Sequence, residues 1–353
     1  MRCIALTDTL TYTLMRPRDS SAPAGGGDTR DVDRIDIDTL QAVGADLDRP
    51  ECVLCNAAGD CFVADWRGGV TCIRADGSQV RFTGAAPGGR VLKPNGIALR
   101  KDGSFLIADL SPESGGVFVL ARDGQVRPLV ERIDGVDLPP TNFVVEDRDG
   151  RVWITVSTRR VPRVLAARPD VADGFIAVLD AKGARIVADG LGYTNEVALS
   201  PDGRWLHVNE TFGRRMSRFP VRADGSLGAR ETVTAFGHGI FPDGIAFDVD
   251  GDAWVTSVVS NRVLRVAPDG SFDVVLEDVD ADWLDEVEHA WRIGALTRAH
   301  LDTSRGRRLK NVSSLAFGGP DRRTAVLGCL QGDRLECFRA PVAGLEPVHW
   351  NYR

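Results

Sequence analysis

No apolar run in this sequence approaches the length of a membrane span, and the N-terminus lacks the apolar core of a secretion signal. No membrane contact is therefore expected, and the reducing cytoplasm is the expected compartment. Lysine is nearly absent, with four residues in a Lys+Arg total of 43. The arginines are interspersed with Asp and Glu, the net charge is -7 and the pI is near 5.4. That distribution excludes the basic stripe of a nucleic-acid surface. The sequence also lacks a second cysteine pair to match Cys52-Val-Leu-Cys55, which by itself has the spacing of a redox or zinc half-site. With seven cysteines, an odd number, the reading is buried free thiols that pack as small hydrophobes. A content of 43% hydrophobic and 26% charged residues excludes disorder over most of the chain.

What is present is a recurring phrase, clearest at Tyr193 to Glu210, YTNEVALSPDGRWLHVNE. An apolar segment enters a Pro-Asp-Gly turn and a second one leaves it, the signature of a β-hairpin. Gly203 supplies the positive φ and Asp202 a side chain that bonds its own backbone. The phrase returns as PNGIALRKDGSFLIAD from Pro94, TNFVVEDRDGRVWITVS from Thr141 and PDGIAFDVDGDAWVTSV from Pro242. Degenerate copies start at Glu51 and Ser313. Aligning the copies places Glu51, Asn95, Asn142, Asn195, Asp243 and Ser313 in equivalent positions, at intervals of 44, 47, 53, 48 and 70 residues. This is the period of propeller blades, with an insertion before the last.

The expected fold is all-β, a six-bladed β-propeller closed by an N-terminal strand, with a helical insertion before the last blade. Residues 1–31 read as an N-terminal arm, Gly-rich and polar like a linker, and 32–353 as the propeller. From Arg34, RIDIDTLQAVGADL alternates like an outer blade strand, and closing the last blade with it removes exposed edges. Between about 281 and 309, Trp283, Leu284, Val287, Trp291, Ile293 and Leu296 recur at helical spacing, as a lid or as a cap on blade edges. The Arg-rich excursion from Ser157 to Asp173 is expected to lie over one face. Asp248-Val-Asp250-Gly-Asp252 reads as a hairpin turn with extra acid, because the copies have SPDG, RKDG and DRDG there.

Equivalent positions at the start of the innermost strands of a propeller converge on the central axis. Five of the six here are carboxylates or carboxamides, an oxygen set suited to a hard divalent cation. Two carboxylates forced together there repel unless a cation intervenes.

These phrases resemble the senescence marker protein/gluconolactonase family, the regucalcin-like lactonases, which is related to strictosidine synthase-like propellers. The likeness covers nearly all of the chain after residue 34. It implies one divalent cation in the channel, calcium first, with zinc, manganese, magnesium or iron as alternatives. The implied ligands are Glu51, Asn195 and Asp243, with Asn142 contacting the metal directly or through water and substrate. The implied activity is opening of a lactone ring by metal-activated water. Candidate catalytic groups are Asp243, its rival base Glu210 and the loop residue His238. Asn142, Asn95, Phe143 and Trp66 are the candidate substrate contacts. Sugar-lactone members carry an Asp after the third-blade Asn and an Arg before it, where this chain has Phe143 and Pro139-Pro140-Thr141. A lactone or ester less polar than gluconolactone is therefore expected. The alternatives are a metal-dependent esterase or organophosphate hydrolase on the same scaffold, a metal-free condensing enzyme, and a non-catalytic calcium-binding propeller that presents a surface to a partner. The sequence carries no signal of an oligomer.

Overall fold

Side-chain oxygens two residues ahead of each turn decide where the inner hairpins close. Asp147 accepts from the backbone N of Asp149 and Arg151, each at 2.9 Å, and from Trp153 Nε1 at 2.9 Å. Asp248 repeats this with Asp250 N, Asp252 N and Trp254 Nε1, so the acidic 248–252 stretch is a turn of the same kind. One carboxylate thus fixes the turn and anchors a fully buried Trp in the next strand.

A computed structural model describes residues 34–353; the expected arm over 1–31 and Cys3 lie outside the described residues. Six four-stranded antiparallel sheets follow one another along the chain. Their innermost strands are Val53–Cys55, Pro94–Leu99, Thr141–Glu146, Thr194–Leu199, Phe241–Phe247 and Val312–Gly318. Each of these packs against the next, and the last packs against the first, which closes a six-bladed propeller. Strand Gln41–Val43 completes the sixth blade antiparallel to Leu335–Arg339, with Val43 opposite Leu335 and Gln41 opposite Cys337. Six cysteines, Cys52, Cys55, Cys61, Cys72, Cys329 and Cys337, are free, and all but the half-buried Cys61 are buried. Among the described residues no helix is long and apolar enough to cross a membrane.

Five of the six inner strands break register at the same phase, for example between Thr194 and Val197 and between Pro242 and Ile245. The bulge sets two residues against one and re-aims side chains at the axis. Its second residue is Gly96 in blade 2 and Gly244 in blade 5. A Cβ on Gly244 would lie 2.5 Å from Ser313 O and 2.6 Å from Ser314 Cα, and one on Gly96 would lie 2.6 Å from Phe143 Cα. Glycine is needed there because neighbouring inner strands approach too closely for any side chain.

The insertion forms helix α1, Ala281–Arg292, and a short α2, Arg298–Asp302. Asp280 caps α1 by accepting from Trp283 N at 2.9 Å, and Gly294 at φ 67 ends it. Trp283, Leu284, Val287 and Leu296 are buried as the pattern predicts, but Ile293 sits past the last turn and is exposed. Trp283, Leu284 and Val287 share one buried cluster with Ala166, Ala167 and Val171 of the 157–173 excursion and with Tyr193, Phe212 and Phe241. Helix and excursion therefore form one roof over the end where the inner strands begin.

Two enclosed histidines give this fold a pH dependence. Burial pushes both His207, in blade 4, and His349, in the C-terminal segment, down to about 4. The folded value lies below the unfolded one of about 6.5, so the unfolded chain takes up the proton first. The stability is present above about pH 6.5 and is lost as pH falls toward 4. His207 alone is expected to remove about 2 kcal/mol by pH 5. Urea midpoints at pH 7 and pH 5 measure this, and His207→Gln is expected to shrink the difference. An equal difference in wild type and variant would refute it.

Candidate active site

The strand starts carry Glu51, Asn95, Asn142, Asn195, Asp243 and Ser313 to the axis, every one buried. Side chains of the second strands fix their orientation. Thr211 Oγ1 accepts from Asn195 Nδ2 at 3.0 Å and donates to Pro242 O at 2.8 Å. Ser157 Oγ accepts from Asn142 Nδ2 at 2.9 Å. Asn95 Nδ2 donates to Asn142 O at 3.0 Å and to its Oδ1 at 3.3 Å, while Ser313 Oγ donates to Glu51 O at 2.8 Å. The amide nitrogens are held by protein, and the carboxamide oxygens of Asn95 and Asn195 are left buried without a hydrogen-bond partner. An unpartnered buried acceptor is costly, and the Asn195 oxygen beside the Glu51 and Asp243 carboxylates forms a donor set suited to a hard cation.

The electrostatics point the same way. Burial, and next the neighbouring Glu51 carboxylate, push the Asp243 carboxyl well above the usual range, against the opposing pull of Arg163, Arg49 and the Asn195 carboxamide. Burial, then Asp243 and Glu51, likewise raise Glu196, while the backbone N of Ile245 donates to its Oε2 at 3.1 Å. Glu51, Asn195 and Asp243 are thus brought together from blades 1, 4 and 5. Among the described residues no three His, Cys, Asp or Glu side chains group as a metal-binding cluster.

Cationic side chains stand around the carboxylates. Arg49 Nε and Nη2 meet Glu51 Oε2 at 3.1 and 3.0 Å, and its guanidinium lies 4.4 Å from the centre of the Trp66 ring. Lys93 Nζ is 5.4 Å from the same ring. On the other side, Arg163 Nε donates to Tyr193 Oη at 2.8 Å and Nη2 to Ser157 Oγ at 3.4 Å.

Three expected site residues go elsewhere. Both oxygens of the fully buried Glu210 are engaged, by Arg215 at 2.7 Å each, Ser217 Oγ at 2.6 Å and Gly192 N at 2.7 Å. Burial raises its pKa, but Arg215 and these hydrogen bonds outweigh it and leave the carboxyl below the usual range. It ties the second and third strands of blade 4 to the loop at Gly192 and is no free base. His238 is exposed and pairs through Nε2 with Asp285 Oδ1 of α1 at 3.1 Å, away from the carboxylates. Phe143 lines a cavity of about 480 Å³ at the opposite end of the channel, along with Val197, Ile245, Phe317 and His349. Glu196, Arg49 and Arg163 are the residues that sequence reasoning missed. The signal for Glu196 was a carboxylate where the aligned copies have Gly96 and Gly244.

Fold and site together define a six-bladed propeller with a buried ring of carboxylates and carboxamides at the strand-start end of its channel. The chain belongs to the SMP-30/gluconolactonase/LRE-like family, whose model matches residues 90–277, more than half of it. It is 32% identical over 187 residues to a 6-deoxy-6-sulfogluconolactonase of Pseudomonas putida, across 52% of this chain and 59% of that protein. It is 25% identical over 177 residues to strictosidine synthase-like protein 4 of Arabidopsis thaliana, across 47% of this chain and 44% of the plant protein. The matches thus span about half the length of these curated relatives. A gluconolactonase from Xanthomonas campestris superposes with a TM-score of 0.62 at 21% identity, covering 86% of this chain and 89% of that one. The calcium-binding protein regucalcin of Agrobacterium tumefaciens gives 0.59 at 17%, covering 86% and 90%. These structural likenesses establish the fold.

Proposed function

We propose that the chain hydrolyses a lactone with one divalent cation held by Glu51, Asn195 and Asp243, and with Asn142 and Asn95 facing the substrate. The observation that carries this reading is the pair of buried carboxylates at the axis beside the unpartnered Asn195 oxygen. Membership of the gluconolactonase-like family and the likeness to the Pseudomonas putida sulfogluconolactonase support the substrate class. When bound, such a cation polarises an ester carbonyl and acidifies water at neutral pH. Arg49 orients the Glu51 carboxylate through its ion pair at 3.0 Å, and Thr211 keeps the Asn195 oxygen aimed inward. An oxygen of Asp243 takes the proton from the attacking water. The water oxygen bonds to the carbonyl carbon, the ring C–O bond breaks, the proton passes to the departing oxygen, and an open hydroxy acid leaves. The roof formed by 157–173 and α1 keeps bulk water from the reacting carbonyl. The absence beside Asn142 of the Asp and Arg that sugar-lactone members carry supports a substrate with fewer hydroxyls than gluconolactone.

Chelated, dialysed protein given calcium, manganese, zinc or magnesium tests this. At a hundred times its Kd, a fitting metal adds about 2.7 kcal/mol, a rise in melting temperature of about 5 °C. The same metal should restore lactone opening in a pH-stat assay. Phosphotriester cleavage without lactone opening would favour the organophosphate hydrolase reading. A metal that raises the melting temperature equally in Glu51→Gln binds elsewhere and would refute the assignment.

A further inference from the structure

Resting on the hydrolase reading above, we infer that the lactone carries an anionic substituent, a carboxylate or a sulfonate remote from its carbonyl, and that Arg163 selects it. The first ground is charge. Glu51, Asp243 and Glu196 place three carboxyl groups at the axis, and Arg49, Lys93 and Arg163 place three cationic side chains around the same end. Counting Asp302, 3.9 Å from Arg49 Nη1, a bound divalent cation then leaves the site with one positive charge in excess, in a largely buried place where charge imbalance is costly. A substrate anion corrects that imbalance, whereas a neutral lactone leaves it.

The second ground is hydrogen-bond polarity. Arg163 uses Nε on Tyr193 and one Nη2 hydrogen on Ser157, and among the described residues no acceptor faces Nη1. Trp66 Nε1 is buried without an acceptor. Around Arg163 and Trp66 the groups left over are donors, whereas the unpartnered acceptors, Asn95 Oδ1 and Asn195 Oδ1, lie at the axial ring assigned to the cation and the lactone. A polyol hydroxyl asks for donors and acceptors alike, whereas a carboxylate or sulfonate only accepts. Arg49 is committed to Glu51 at 3.0 Å, so Arg163 is the guanidinium with a planar edge to offer. Ser157 Oγ accepts from both Arg163 and Asn142, so an anion on Arg163 lies one residue removed from the axial ring, within reach of a small lactone whose carbonyl faces the carboxylates.

The test compares γ-butyrolactone with its γ-carboxylated analogue, using the metal that best restores activity. Wild type is expected to favour the carboxylated lactone in kcat/KM by about tenfold or more, with the preference shrinking as salt is raised. Arg163→Met should lower the ratio of the two kcat/KM values about 10- to 100-fold, mainly through the KM of the anion, and Arg163→Lys should retain part of it. A second readout is equilibrium binding of pyroglutamate against 2-pyrrolidone, lactams of the same shapes that are not opened. Wild type that opens both lactones equally overturns the inference and leaves the hydrolase reading standing. Wild type that opens neither, yet binds pyroglutamate in an Arg163-dependent way, keeps the anion site and removes the hydrolase reading. Pyroglutamate binding that is unchanged in Arg163→Met overturns Arg163 as the selector.

Discussion

Asp243→Asn is expected to lower lactone opening by about 10²- to 10⁴-fold, the range of a lost general base, while the protein stays folded. The carboxamide keeps the shape of the side chain but removes one of the axial carboxyl groups and with it the group that receives the proton. The variant should also lose the melting-temperature rise on adding metal. In chelator it should melt higher than wild type, because a buried carboxyl beside Glu51 is replaced by a neutral amide. Activity bought with local instability is common at such sites. A variant that melts lower than wild type in chelator, or still responds fully to metal, would show that Asp243 is a structural residue.

Glu288→Ala should cost about 3–5 kcal/mol, the largest loss expected outside the axis, by leaving Arg214 charged and unpaired in a buried place. Arg214 Nη1 and Nη2 meet Glu288 Oε2 and Oε1 at 3.0 and 2.8 Å, and Gly239 N donates to Glu288 Oε1 at 2.5 Å. The guanidinium lies 5.0 Å from the Phe241 ring centre and 4.7 Å from that of Trp291, so it pins α1 to blades 4 and 5. Replacing both partners, Arg214→Met with Glu288→Leu, should restore most of the loss, since a packed apolar pair needs no compensating charge. Urea midpoints for the two single variants and the double variant measure the coupling. Limited proteolysis within 281–309 should accelerate in Glu288→Ala and not in the double variant. A double variant as unstable as the sum of the singles would remove the buried ion pair as the anchor.

The blades were legible because each one repeats an apolar strand, an Asp-Gly turn and a second strand, and because turn chemistry acts over four residues. The phase of that repeat also placed Glu51, Asn95, Asn142, Asn195 and Asp243 at equivalent strand starts. Glu210 was misplaced because nothing near it in sequence reveals that Arg215, Ser217 and Gly192 close on its oxygens. His238 was misplaced because its partner, Asp285, lies on a helix more than forty residues away. Glu196 was missed and Phe143 misplaced for a shared reason. Strict alternation sends successive side chains to opposite faces, and the bulge breaks that rule at the axis.

Local chemistry written in the chain therefore determined the number of blades, their order, the closing strand and the identity of the axial oxygens. Such features depend on backbone hydrogen bonds and apolar periodicity between near neighbours. Only the tertiary structure decided which distant groups face one another, namely Arg163 near Asn142, Glu196 beneath Asp243 and Arg214 under Trp291. Those pairings join residues from different blades and loops, and electrostatic energy depends on distance through space and on the water excluded between the groups, neither of which a sequence position records.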